Sequence, residues 1–202
     1  MGDFKNVIVS NCVISKSNRG LSIQIRDGGC VENVTYSNII IETRRFCPDW
    51  WGTAEPIVLT TFNRDENTKS GTIKNIRFFN VTAKGENGVL IHGNAENIIE
   101  DITFENCQIQ LNRTSKWDCG LYDLRPCLDY GVEKYDNSAF FIRYAKNVLI
   151  EKTKTSWGNI CGNYKHAIDA ENVENLELVR FSGKAASPDV EDIKVNNVKF
   201  AV

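Results

Sequence analysis

The chain has 202 residues, 42% hydrophobic and 25% charged, with a formal net charge of -2 at pH 7. That balance supplies no field for a polyanion, so nucleic acid is excluded as a primary partner, and no apolar run approaches the ~20 residues of a membrane-spanning helix. The opening "MGDFKNVIVS" lacks the charged, apolar and small-residue regions of a secretory leader, which points to the cytoplasm unless a longer parent is secreted.

Seven cysteines, an odd number without tight spacing, argue for mostly free thiols in a reducing compartment. The two histidines, His92 and His166, belong to no Cys/His cluster with zinc spacing, so no metal and no cofactor is expected.

In chain order, seven segments share one pattern: "FKNVIVSNCVIS" from Phe4, "VENVTYSNIIIE" from Val31, "IKNIRFFNVTAK" from Ile73, "IEDITFENCQIQ" from Ile99, "AKNVLIEKTKTS" from Ala145, "VENLELVRFSGK" from Val173 and "VEDIKVNNVKFA" from Val190. The third position is always Asn or Asp (Asn6, Asn33, Asn75, Asp101, Asn147, Asn175, Asp192), and the fourth is always aliphatic. The sixth is always apolar, and the eighth is Asn in five of the seven. Alternation with period two predicts strands, and fixed Asn predicts turns, because Asn tolerates left-handed backbone and bonds its own chain locally. Shorter strands are expected between the copies at Leu21–Ile25, Ile57–Thr61, Val89–His92, Phe140–Tyr144 and Ala167–Ala170.

Short strands, Asn turns and no helical segment describe a single all-β domain over 1–202. The expected architecture is a right-handed parallel β-helix, a solenoid of about seven coils stacked at roughly 4.8 Å. A β-sandwich also uses many short strands but has no need of Asn locked at one repeat position. Cys12 and Cys107 share the ninth position with Ile39, Val81 and Val198, and so read as small core residues. The sequons at Asn33 and Asn80 fall in Asn columns, where turn-building explains them; a third lies at Asn112.

Insertions in a solenoid become loops, and binding tends to live there. Arg44–Glu55 carries Trp50 and Trp51, and two readings stand: stacking on sugar rings, or sealing the edge of the core. Glu55 leads into "PIVLTT" and is placed at the rim. Asn63–Gly71 reads as a plain polar loop. Asn112–Asn137 holds Trp117, Asp118, Tyr122, Asp123, Arg125 and Asp129, a set suited to a hydroxyl-rich or carboxylated ligand. The alternative, favoured for Asp123 and Arg125, is an internal ion pair that orders the loop. Cys119 and Cys127 in the same loop read as free thiols, or as a disulfide in an oxidising compartment.

In "RGLSIQIRDGG" (19–29) Leu21, Ile23 and Ile25 point inward, leaving Ser22, Gln24 and Arg26 outward. The same rule sets Thr60, His92, Arg143 and Asp169 outward on successive coils, as one polar ladder.

Several stretches resemble glycoside hydrolase family 28, the polygalacturonase-like β-helices: "RGLSIQIRDGGCVENVTYSNIIIETR", "WWGTAEPIVLTTF", "GVLIHGNAENIIEDITFENCQI" and "YDLRPC", the last three similar to later coils of bacterial members. The resemblance covers nearly the whole chain but only the C-terminal half of a typical family protein. It implies a pectin-type, uronic-acid polysaccharide or oligosaccharide as partner, cut with inversion by two carboxyl groups roughly 6.5–9.5 Å apart. The family's Asn-Thr-Asp, Asp-Asp, Gly-His-Gly and Arg-Ile-Lys motifs are absent: Ser22-Ile23-Gln24 fills the last, and the coils bearing the carboxylates are expected before Met1. By position alone, Asp27, Glu55 and Asp169 are the catalytic candidates. Arg26, Trp50, Trp51, His92, Tyr122, Arg125 and Arg143 are the substrate-binding ones. The expectation is a catalytically incomplete relative, or else a carbohydrate-binding or purely structural solenoid. Its exposed first coil is expected to be covered by a second copy.

Overall fold

The computed structural model describes residues 2–201. All elements are strands: β1 (Phe4–Ser17), β2 (Arg19–Ile25), β3 (Cys30–Thr43), β4 (Glu55–Thr61), β5 (Thr72–Gly85), β6 (Val89–His92), β7 (Ile99–Glu105), β8 (Gln108–Leu111), β9 (Leu121–Asp123), β10 (Val132–Lys134), β11 (Phe140–Glu151), β12 (Lys154–Trp157), β13 (Ile168–Val179) and β14 (Ile193–Phe200). Apart from the antiparallel hairpin β9–β10, every pairing is parallel, between strands one repeat apart. This is a parallel, solenoid-like β fold, not a sandwich of antiparallel hairpins.

The pairings fall into three columns. In the first, Val7, Val34, Ile76, Ile102, Val148 and Leu176 stand in register. In the second, Ile14, Ile41, Ala83, Ile109 and Thr155 do so. In the third, Ile23, Leu59, Ile91, Ile142, Ala170 and Val195 do so. Inward rows of all three columns merge in one core. The sixth repeat position builds an aromatic stack there, Tyr36 on Phe78 (5.3 Å) and Phe78 on Phe104 (4.7 Å). Cys107 is buried in this core, which pushes its thiol up to about 11, and Cys12 packs against the same core.

The Asn positions are the corners. Asn6, Asn33, Asn75, Asp101, Asn147 and Asn175 all have φ between 53° and 59°, in the left-handed region. Their amides bond corner to corner: Asn33 Nδ2 donates to Asn6 Oδ1 (3.0 Å), Asn75 to Asn33 (2.6 Å), Asn147 to Asp101 (2.7 Å) and Asn175 to Asn147 (2.8 Å). A second ladder joins Asn11, Asn38, Asn80 and Asn106. The amides of Asn33 and Asn80 are therefore engaged in these ladders.

One copy sits elsewhere than expected. Ile193 pairs with Ile168, not Leu176, and Asn197 takes the left-handed corner beside Asn172. Only 17 residues separate Val173 from Val190, too few for the circuit that takes 26 or more elsewhere, so the segment lies in the third column. Asp192 is no corner residue; it accepts from Lys184 Nζ (2.9 Å) and the Ala185 amide (2.7 Å).

The cysteines differ too. Cys119 bonds Cys161, not Cys127, and so ties the long insertion to the loop after β12. Cys127 is free, donating to the carbonyls of Leu124 and Tyr130.

Candidate functional site

The insertions 44–55 and 112–137 meet over the start of the third column. Arg19 opens β2 and Glu55 opens β4, and the register sets them side by side. Glu55 is fully buried, not at an open rim. It accepts from the Thr53 amide (2.8 Å), the Thr53 hydroxyl (2.5 Å) and the Asp123 amide (3.1 Å), with Arg19 Nε 3.5 Å away. Asp123 is equally buried. It accepts from the Gly52 amide (2.6 Å), the Arg125 amide (3.0 Å), Arg125 Nε (2.9 Å) and Arg125 Nη2 (3.1 Å). Burial alone would raise this carboxyl, but the Arg125 and Gly52 donors together hold it below its ordinary value. The internal Asp123–Arg125 pair read from the sequence is present, and it fixes the neighbouring loop as well.

That loop is the tryptophan segment. Gly52 sits at φ +96°, where an added Cβ would lie 2.7 Å from the Asn18 carbonyl, so the turn requires glycine. The carbonyl of Trp50 accepts from Arg125 Nη2 (3.3 Å) and that of Trp51 from Asn18 Nδ2 (3.4 Å). With the backbone pinned, the indoles of Trp50 and Trp51 remain 71% and 53% exposed. Neither seals the core. Phe46, also exposed, lies under the Arg44 guanidinium at 4.4 Å, and its carbonyl accepts from Trp117 Nε1 (2.9 Å). The Arg125 side chain is about a third exposed beside Trp50.

Glu86, which sequence reasoning missed, clamps both insertions. Its carboxylate accepts from the Arg45 amide (3.1 Å), the Thr114 amide (2.8 Å) and hydroxyl, and the Ser115 amide and hydroxyl (2.7 Å). Burial opposes the charge, but these donors bring the carboxyl below its ordinary value. Nothing in the local sequence marks it, because every donor comes from a distant loop.

The polar ladder expected on the third column is not an open groove. Gln24, Thr60, His92, Arg143 and Glu171 share one row; Asp169 lies two residues earlier, on a row with Ser22, Val58, Leu90 and Phe141. Val58, Leu90 and Phe141 form a second hydrophobic cluster with Phe62 and with Tyr122 and Leu124 of the insertion. Tyr122 has no exposed surface, so its ring is part of the cover and does not face a ligand. Arg26 is buried as well: it donates to the carbonyls of Pro126 (2.6 Å) and Leu124 (3.0 Å) and to the Thr60 hydroxyl (2.9 Å). Desolvation brings its guanidinium down to about 10.

His92 is wedged among Phe62 (5.0 Å), Tyr130 (5.9 Å) and Phe141 (6.2 Å). Burial, with a further push from Arg143, lowers its pKa to about 4, against the opposing contact of Nδ1 with the Gly93 carbonyl at 2.7 Å. Arg143 stacks over Phe141 (3.8 Å) and donates to Asp169 Oδ1 (2.8 Å).

The carboxylate candidates do not converge. Asp27 is bound at the surface by Arg64, through Nε at 2.9 Å and through Nη2. Asp169 is held by Arg143, with Lys194 at 3.6 Å. Glu55 and Asp169 are three strand steps apart, about 14 Å at ~4.8 Å per step, beyond the roughly 6.5–9.5 Å of an inverting pair. Asp27 lies past the end of β2 whose start, Arg19, neighbours Glu55; eight residues of extended chain separate these levels by about 26 Å. Among the described residues no three His, Cys, Asp or Glu groups gather as metal ligands.

No family model, curated protein or solved structure matches this chain.

Proposed function

We propose that the chain is a right-handed parallel β-helix of the polygalacturonase-like kind, with about six coils and part of another, that binds uronic-acid polysaccharide without hydrolysing it alone. The observation that carries the reading is the Trp50–Trp51 platform, exposed on a backbone anchored by buried Asp123 and flanked by the free edge of Arg125. Exposed indoles offer apolar faces to sugar rings, and a guanidinium held by one carboxylate still has N–H groups for a sugar carboxylate. The three candidate carboxylates are cation-paired and far apart, which supports binding over cleavage. A purely structural solenoid is the second reading, favoured by the covered outer face of the third column.

Titration calorimetry with oligogalacturonate tests this. Binding is expected, weakened about tenfold or more by Trp50→Ala or Trp51→Ala, with reducing-sugar release from polygalacturonate at background. Turnover abolished by Glu55→Gln or Asp169→Asn would overturn the non-hydrolytic reading. Binding indifferent to both tryptophans would overturn the site, and no binding at all would leave the structural solenoid as the reading.

A further inference from the structure

A cavity of about 560 Å³ opens beside the β9–β10 hairpin, lined by Asp118, Cys119, Lys134, Tyr135, Asp136 and Asn163 among others. None of the tryptophan-loop residues lines it. Its lining includes Cys119, whose disulfide to Cys161 joins the insertion to the loop carrying Asn163. Tyr135 is held from within by Phe141 (5.1 Å) and Tyr122 (6.3 Å) while 37% of it stays exposed. Arg113, also in the wall, spends its donors on the carbonyls of Ser115 and Trp117 and on Cys119 Sγ. Lys134, Asp118 and Asp136 form no ion pair among the described residues, although they share one concave surface.

We infer that this cavity is a second carbohydrate site, for one or two neutral sugar units. A sugar hydroxyl both donates and accepts, so it matches a wall offering carboxylate acceptors (Asp118, and the second oxygen of Asp136, whose Oδ1 accepts from Asn163 Nδ2 at 3.4 Å) beside an ammonium donor (Lys134) and the other amide hydrogen of Asn163. A supported tyrosine ring gives the apolar face of a pyranose something to lie on. The volume falls within the roughly 300–1,000 Å³ of small-ligand sites. Two cations against two carboxylates leave no net charge to select a uronate, which separates this site chemically from the Arg125 platform. The open, solvated mouth disfavours a zwitterion, whose charges gain little without desolvation.

The experiment is an amide NMR titration of the intact, oxidised protein with lactose, maltose and cellobiose, with digalacturonate as the charged comparator. Saturable shifts at Gly120, Leu121 and Asn163 are expected with at least one neutral disaccharide. They should weaken about tenfold in Tyr135→Ala and also in Asp118→Ala, an exposed position whose change leaves the hairpin packing intact, and persist in Trp50→Ala. Three results would overturn the assignment: no shift with any neutral disaccharide, shifts unchanged in both variants, or a stronger response at these amides to digalacturonate. Loss of oligogalacturonate binding in Trp50→Ala concerns the tryptophan platform alone and leaves this site standing.

Discussion

The outer face of the first column and that of the third are made by strands of the same coils, yet they meet opposite surroundings. On the first, Lys74 lies 3.7 Å from Glu100, Lys146 3.4 Å from Glu174 and Lys5 3.5 Å from Glu32, all on exposed side chains. On the third, Val58, Leu90 and Phe141 lie under Tyr122 and Leu124, with Thr60 and His92 enclosed beside them. A strand face is wet only if nothing folds over it, and the 26-residue insertion at 112–137 decides the matter for the third column.

The largest effect separating the faces should come from the ionic anchor of the cover. Asp123→Ala leaves Arg19, Arg125 and the Gly52 amide without their shared acceptor, and is expected to cost roughly 3–5 kcal/mol in chemical denaturation. Loss within a few tenths of a kcal/mol would mean that the insertion is only loosely attached. Leu90→Ala, under the cover, should cost about 2–5 kcal/mol, whereas an outward row of a solvated strand would tolerate it.

Acidification gives a third contrast. The folded pKa of His92, about 4, lies below the ~6.5 of an unfolded histidine, so the unfolded chain binds more protons between these values. The stability from keeping His92 neutral is complete above pH ~6.5 and is lost as pH falls towards 4, by about 2 kcal/mol from pH 7 to pH 5. His92→Gln should flatten that interval. Asp123 and Glu86, whose carboxyls lie below their ordinary values, add their losses only at lower pH, beneath about 4. The smallest effect belongs to the first column: Lys74→Ala should change stability by less than about 1 kcal/mol, with any loss shrinking in high salt.

The repeat made the fold legible. Asn at fixed positions and apolar residues at the fourth and sixth places determine corners, columns and register, and the structure keeps all but the last copy, whose short gap was already a warning. The cover was legible as well, in a signal easily overlooked. In the third column β2 ("LSIQI") and the openings of β13 ("IDAE") and β14 ("IKVN") alternate, whereas β4 reads "PIVLTT", β6 "VLIH" and β11 opens "FFIR", and continuous apolar runs belong to strands buried on both faces. Extending the β2 pattern to its neighbours produced a groove where the molecule has a second core. The roles of Arg19 and Glu86 and the partner of Cys119 depend on contacts spanning 28 to 104 residues, which no local pattern encodes.

The enclosure of His92 is the most direct consequence of the covered third face, and the chain has only two histidines to follow. An NMR pH titration, with His92→Gln for assignment, should show the His92 ring staying neutral well below pH 6 and titrating at about 4. Titration near 6.5, the value of a solvated imidazole, would contradict the account and restore an open polar groove along β4, β6 and β11.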